Sequence, residues 1–159
     1  MDIYDYLVND HRKVAALMDE LLAINIQSVQ QRMFEDIKAE LILHAEAEEK
    51  TFYVALSQAT TNADTEGPVD HSVHDHDDIR RFLDQLTHEG LTSPKWMLIF
   101  GELKYAVEHH VEEEEGPVFQ KARALIPQAQ AEQLASGMDR LKAELKARLG
   151  IRTDHIADA

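Results

Sequence analysis

An internal repeat constrains this chain more than any other feature. Moved along by 66 positions, the stretch from Phe34 to Phe52 lies on a later one: Phe34 falls on Phe100, Ile37 on Leu103, Leu41 on Val107, His44 on His110, Glu48 on Glu114 and Phe52 on Val118. Moved by 65, an earlier stretch does the same: Asp10 falls on Asp75, His11 on His76, Val14 on Ile79, Leu17 on Phe82, Met18 on Leu83 and Leu21 on Leu86. The matched apolar residues recur at steps of three and four, the spacing that places side chains on one face of an α-helix. The chain therefore reads as two helical hairpins, each with one His on its first helix and His-x-x-x-Glu on its second. Four such helices in succession predict an all-α, up-down-up-down four-helix bundle.

Composition agrees. A length of 159 residues suits one domain with its own core, and six Gly and four Pro are too few for the turns of an all-β fold. No run of eighteen apolar residues is present, so no membrane-spanning helix is expected. Cys is absent, which excludes disulfides, thiolate metal sites and Cys nucleophiles; with no export leader at the start, the expected location is cytoplasmic. Thirty Asp and Glu against 16 Lys and Arg leave a net charge of −14. Such a surface repels phosphate backbones and anionic lipid and attracts cations, so neither nucleic acid nor membrane is the expected partner.

Local signals set the expected boundaries. Asp2 is placed to cap the first helix, and Ser28 with Gln31 has capping-box spacing for the second. The polar stretch from Ser57 to Asp70, with Asp64 and Gly67-Pro68, reads as the long connection. The third helix should stop near Gly90, and Ser93-Pro94 should open the fourth. Pro117 lacks an N–H and should kink or end that helix. An additional C-terminal helix over about 127–149 is expected outside the bundle. The domain is read as 1–150, with a core of about 1–122 and a frayed tail at 151–159.

The chemistry lies in polar residues set within the apolar stripes. His11, His44, Glu48, His76, His110 and Glu114 occupy stripe positions, on the face a bundle buries. A His four residues before a Glu stands about 6 Å from it along the axis, so both can converge on one centre. Burying an unpaired carboxylate costs several kcal/mol. Two Glu and four His in one core are hard to explain as packing, whereas imidazole nitrogen and carboxylate oxygen are ligands that first-row metals accept. Of the other His, His71 and His74 lie off the stripe and are expected to face solvent. His109 is turned about 100° from His110, and His88 and His155 sit near helix ends. Glu49 and Glu115 are the near misses beside Glu48 and Glu114.

His11, His44-Ala-Glu-Ala-Glu48-Glu49, Asp75-His76 and His110-Val-Glu-Glu-Glu114-Glu115 together resemble the hemerythrin-like HHE cation-binding family over about residues 1 to 122. The resemblance implies two iron ions, oxo- or hydroxo-bridged when oxidised, with manganese or zinc as substitutes. His11 and His44 would hold one ion, His76 and His110 the other, and Glu48 and Glu114 would bridge them. It also implies a small-molecule partner: oxygen, peroxide or nitric oxide. This chain departs from the oxygen carriers of the family, which place two His four residues apart on the third helix. Ser72 and Arg80 stand four residues either side of His76. Their second bridging carboxylate lies five residues after its His, where this chain has Glu115.

The leading expectation is thus a di-iron protein that binds or reacts with oxygen or a related small molecule. A di-iron oxidase or peroxidase is the enzymatic alternative, for which no second-substrate pocket is legible. A metal-free signalling bundle with one exposed phosphotransfer His is the other; it leaves most of the six residues unexplained.

Overall fold

The computed structural model describes residues 1–63, 65 and 69–150, and every regular element among them is helical. α1 runs Ile3–Ala23, α2 Gln27–Lys50, α3 Phe52–Asn62, α4 Val69–Glu89, α5 Trp96–Glu113, α6 Phe119–Leu125 and α7 Gln128–Leu149. A five-residue π-turn, Glu114–Val118, joins α5 to α6. The expectations for Asp64, Gly67-Pro68, His155 and the tail at 151–159 fall outside the described residues.

Four helical rods form a ring, and paired contacts give their directions. On α1 and α2, Gln30 reaches the carbonyl of Ile24 at 2.6 Å while His44 meets Asp10 at 2.9 Å. On α2 and α4, Lys38 meets Thr87 at 2.9 Å and Glu49 meets His76 at 2.7 Å. On α4 and α5, Trp96 Nε1 donates to the Leu86 carbonyl at 3.1 Å and His110 meets Asp75 at 3.3 Å. The ring closes where Lys104 approaches Asp19 at 3.9 Å and Glu115 meets His11 at 2.6 Å. In each pair numbers rise along one helix as they fall along its neighbour, so the bundle is up-down-up-down.

The start of α1 follows its sequence signal: Asp2 Oδ1 accepts from the Asp5 N–H at 3.0 Å. Gly90, at φ 75°, stops α4 in a left-handed conformation that L side chains adopt only at a cost. Other boundaries moved. α2 begins at Gln27 with Ile26 as its cap, so Ser28 lies inside the first turn and forms no capping box. Pro94 precedes α5, which begins at Trp96. The chain stays helical to Asn62, so much of the stretch read as a connection belongs to α3.

Pro117 neither ends nor breaks its helix. A π-turn widens the coil around it, so the missing N–H and the bulk of the ring are absorbed, and α6 continues the rod. Thr51, the residue 66 positions earlier, marks the break between α2 and α3, with φ −120° and ψ −81°. Both hairpins therefore depart from regular α-helix at the same place, at Thr51 just after Glu48 and in the π-turn that starts at Glu114.

Apolar side chains pack in two clusters, one on either side of the buried His and Glu. Towards the α4–α5 turn lie Leu21, Phe34, Ile37, Leu83, Trp96 and Phe100, among others; towards the far end lie Ile3, Leu7, Phe52, Leu56 and Phe119. α7 lies outside the ring against α1 and α2. It buries Ala131, Ala135, Met138 and Leu145, and is tied down by Tyr6 to Asp139 at 3.0 Å and by Lys142 to Asp10 at 2.8 Å. No described helix is long and apolar enough to cross a membrane.

Candidate metal centre

All six stripe residues meet in one layer between the two apolar clusters. The four His are between 2 and 7% exposed, and Glu48 and Glu114 are fully buried. Ring nitrogens point at the two carboxylates. His11 Nε2 lies 3.2 Å from Glu114 Oε1, and His110 Nε2 lies 3.4 Å from Glu114 Oε2. Glu48 Oε1 is 3.4 Å from His44 Nε2 and 3.1 Å from His76 Nε2. Each carboxylate thus spans from one hairpin to the other. Ligand atoms of Glu48, His76, His110 and Glu114 fall within 4.8 Å of one another, as do those of His11, His44 and Glu114. The cluster could hold a metal cation, with Glu114 common to both groups.

Several of these atoms lack hydrogen-bond partners. His11 Nε2, His44 Nε2, both oxygens of Glu48 and Glu114 Oε1 are buried and unsatisfied. An unpaired buried polar atom costs about 1–3 kcal/mol and more when charged, so five converging on one point are out of place in a core that packs only against itself. They are the donor atoms a first-row cation would take up.

A carboxylate grips the outer nitrogen of each of these four His. Nδ1 of His44 donates to Asp10 at 2.9 Å, and Nδ1 of His110 to Asp75 at 3.3 Å. Nδ1 of His11 donates to Glu115 at 2.6 Å, and Nδ1 of His76 to Glu49 at 2.7 Å. Such contacts fix the ring orientation and leave Nε2 turned inward, the arrangement metal-ligating imidazoles favour. Lys142 neutralises Asp10 from α7, and Arg80 reaches Glu49 at 3.0 Å. Glu49 and Glu115, close to the inner layer by sequence, therefore sit on its outside. The pairing of Asp10 with Asp75 in the repeat was the signal for the other two.

Tyr53 gave no such signal. Its hydroxyl donates to Glu114 Oε2 at 2.5 Å, and its ring stacks on His76 with centroids 5.3 Å apart. Phe119 stands at the equivalent place in the second hairpin, so the centre is two-fold in its His and Glu and one-sided in its phenol.

The remaining described His are outside the layer. His71 and His74 have side chains 64% and 73% exposed and face Asp75 and Asp78. His109 is exposed and stacks on Tyr105, and His88 is exposed in the last turn of α4. A phosphotransfer His would need exposure that His11 does not have.

Without a metal, the buried charges settle on protons. Burial pulls His11 down, but Glu114 and Glu115 outweigh it and hold the imidazole at about 9. Burial also opposes the charge on His44, and Glu48 and Asp10 raise it to about 9. His76 and His110 are raised against burial in the same way, by Glu48 and Glu49 and by Glu114. Glu114 is held well below the usual carboxylate range, because the imidazoles of His11 and His110 beside it overcome its burial. Burial, with Glu48 and Glu114 nearby, pushes the Tyr53 phenol up and keeps its hydrogen in place.

On the far side of the four imidazoles from Tyr53 is a cavity of about 30 Å³. Its apolar wall comes from the next layer of each helix: Val14 of α1, Leu41 of α2, Ile79 of α4 and Val107 of α5. These are two matched pairs of the repeat, so the cavity shares the symmetry of the cluster.

An antiparallel four-helix ring with His and Glu converging at its centre defines a metal-binding helical bundle. The chain belongs to the hemerythrin HHE cation-binding domain family, whose match covers residues 2–122. In overall fold it is similar to a hemerythrin HHE cation-binding domain-containing protein from Mycobacterium kansasii, with a TM-score of 0.78, 21% identity and 96% of each chain covered. It is also 30% identical over 150 residues to a protein named DNA nickase from Nostoc sp. (strain PCC 7120), a match covering 94% of this chain. The chain spans 42% of the length of that relative.

Proposed function

We propose that this chain is a non-haem di-iron protein of hemerythrin type that binds or reacts with oxygen, nitric oxide or peroxide. One observation carries the reading: the buried, unsatisfied nitrogens and oxygens of His11, His44, Glu48 and Glu114 adjoin a small apolar cavity. Donor atoms that need a cation thus sit beside a space suited to a small, weakly polar molecule. His11 and His44 would hold one ion, His76 and His110 the other, and Glu48 and Glu114 would reach both. Bound iron would supply reversible redox change and open ligand positions. Iron is preferred to zinc because zinc offers no redox change, although imidazole and carboxylate accept both.

The protein's part is to hold and to exclude. Asp10, Asp75, Glu49 and Glu115 orient the imidazoles, and Val14, Leu41, Ile79 and Val107 keep bulk water from the cavity. Ser72 and Arg80, where the carriers have a further His, offer no imidazole; Arg80 is engaged with Glu49. This favours oxidation over reversible carriage. The net charge of −14 argues against nucleic acid or anionic membrane as a partner, so the activity named for the Nostoc relative is not carried over.

The test is an optical spectrum of the ferrous-reconstituted protein before and after air is admitted. The expected result is conversion within minutes to an oxidised form that evacuation does not reverse. A long-lived species that reverts under vacuum would place this chain with the carriers, and no spectral change would overturn the oxygen reading.

A further inference from the structure

The two-fold repeat makes the α1–α5 seam and the α2–α4 seam equivalent, yet their residues differ at one telling position. Arg80, on α4, corresponds to Ala15 on α1. From Arg80 the guanidinium crosses to Glu49 at 3.0 Å, and Glu49 in turn covers the outer nitrogen of His76 at 2.7 Å. At the α1–α5 seam Ala15 ends at its Cβ. The surface there dips into a groove of about 290 Å³, lined by Ala15, Met18, Lys104 and the three residues named next. His11, Val107 and Val111 line both this groove and the apolar cavity beside the four imidazoles. Those side chains stand between the groove and the cavity. Val111 is half-buried, whereas Val107 is 7% exposed and held in the core.

The rim restricts what enters. Lys104 lies 3.9 Å from Asp19 across the seam and 2.6 Å from Glu108 on its own helix, and Glu112 adds a further negative charge. With three carboxylates to one ammonium, the mouth repels small anions and leaves neutral molecules unhindered.

We infer that the α1–α5 seam is the entrance through which a small neutral molecule reaches the histidine-lined cavity, with Val111 as its gate, while the Arg80–Glu49 bridge closes the equivalent seam. The inference rests on the small-molecule reading above and adds the route, the gate and the preference for an uncharged ligand.

Ala15 is exposed, so Ala15→Arg keeps the fold and places on α1 the arm that α4 already carries. The experiment is stopped-flow association and dissociation of nitric oxide with the ferrous-loaded protein, with metal content measured on each variant. Ala15→Arg should slow association and dissociation alike, by about tenfold, leaving metal content and equilibrium affinity unchanged, because a gate alters the barrier and not the end states. Val111→Phe should slow both rates as well. Ala16→Arg, on an exposed position outside the groove, should change neither. Wild-type rates in fully metal-loaded Ala15→Arg and Val111→Phe would overturn the entrance while leaving the metal reading intact. A wild-type protein that takes up no metal would overturn both.

Discussion

Tyr53 reaches across the bundle to donate its hydroxyl hydrogen to Glu114 Oε2 at 2.5 Å, and Phe119, in the equivalent place of the other hairpin, has no hydroxyl to offer. The bond satisfies one oxygen of a fully buried carboxylate. Hydrogen bonds to charged groups contribute about 1.5–3 kcal/mol, so Tyr53→Phe should destabilise the metal-free protein by about 2 kcal/mol. The loaded protein should lose less, because a cation at Glu114 offsets the missing donor. Denaturant titrations of both forms check this, and equal losses in the two would count against Glu114 as a metal ligand.

His residues should separate sharply by position. His44→Ala and His110→Ala each remove a buried inward-facing nitrogen and should lose metal. His88→Ala, His71→Ala and His74→Ala remove exposed rings and should keep most of it. Metal analysis of the purified variants decides. Loss in His74→Ala with retention in His76→Ala would contradict the layer described above.

Asp10→Asn and Asp75→Asn leave the inner residues in place but weaken the grip on Nδ1 of His44 and His110. Loss of such outer partners typically lowers metal affinity by about 10–100-fold, and that is the expected effect in a competition titration with a chelator. Asp10→Asn also strands Lys142, so it should destabilise the α7 contact more than Asp75→Asn does. Unchanged affinity in both would mean that these carboxylates serve packing alone.

Proton uptake gives the metal-free protein a distinctive pH profile. His11 and His44 sit at about 9 in the folded state against an ordinary value of 6.5, so folding favours their protonated forms. That stability is fully present below about 6.5 and is lost as pH rises through about 9. The unfolding midpoint of the metal-free protein should therefore fall across this window. Metal binding displaces the same protons, so the loaded protein should be flatter there, and metal affinity should rise with pH. A metal-free protein that gained stability over the window would contradict the charge assignment.

Much of this centre was legible before any coordinates. The stripe steps and the two register shifts placed six residues on buried faces, because helix period and burial are properties of local sequence. The two breaks in regular helix were only half legible. Pro117 signals a break to any local reading, yet a π-turn absorbs it, and Thr51 in the equivalent place carries no signal at all. The outer layer was half visible: Asp10 and Asp75 matched in the repeat, but their partners lie on other helices, at contacts separated by 34 and 35 residues. Tyr53 depends on the path of α3 beyond the break, and the contrast between Ala15 and Arg80 gains meaning only when the two seams are seen side by side.

The central claim, that six residues from four helices hold a pair of metal ions, is tested most directly by elemental analysis. Protein is reconstituted anaerobically with excess ferrous iron, freed of unbound metal, and assayed for iron per chain. The account predicts two irons per chain, falling together when His44 or His110 is replaced by Ala. One iron or none per fully folded chain would contradict it.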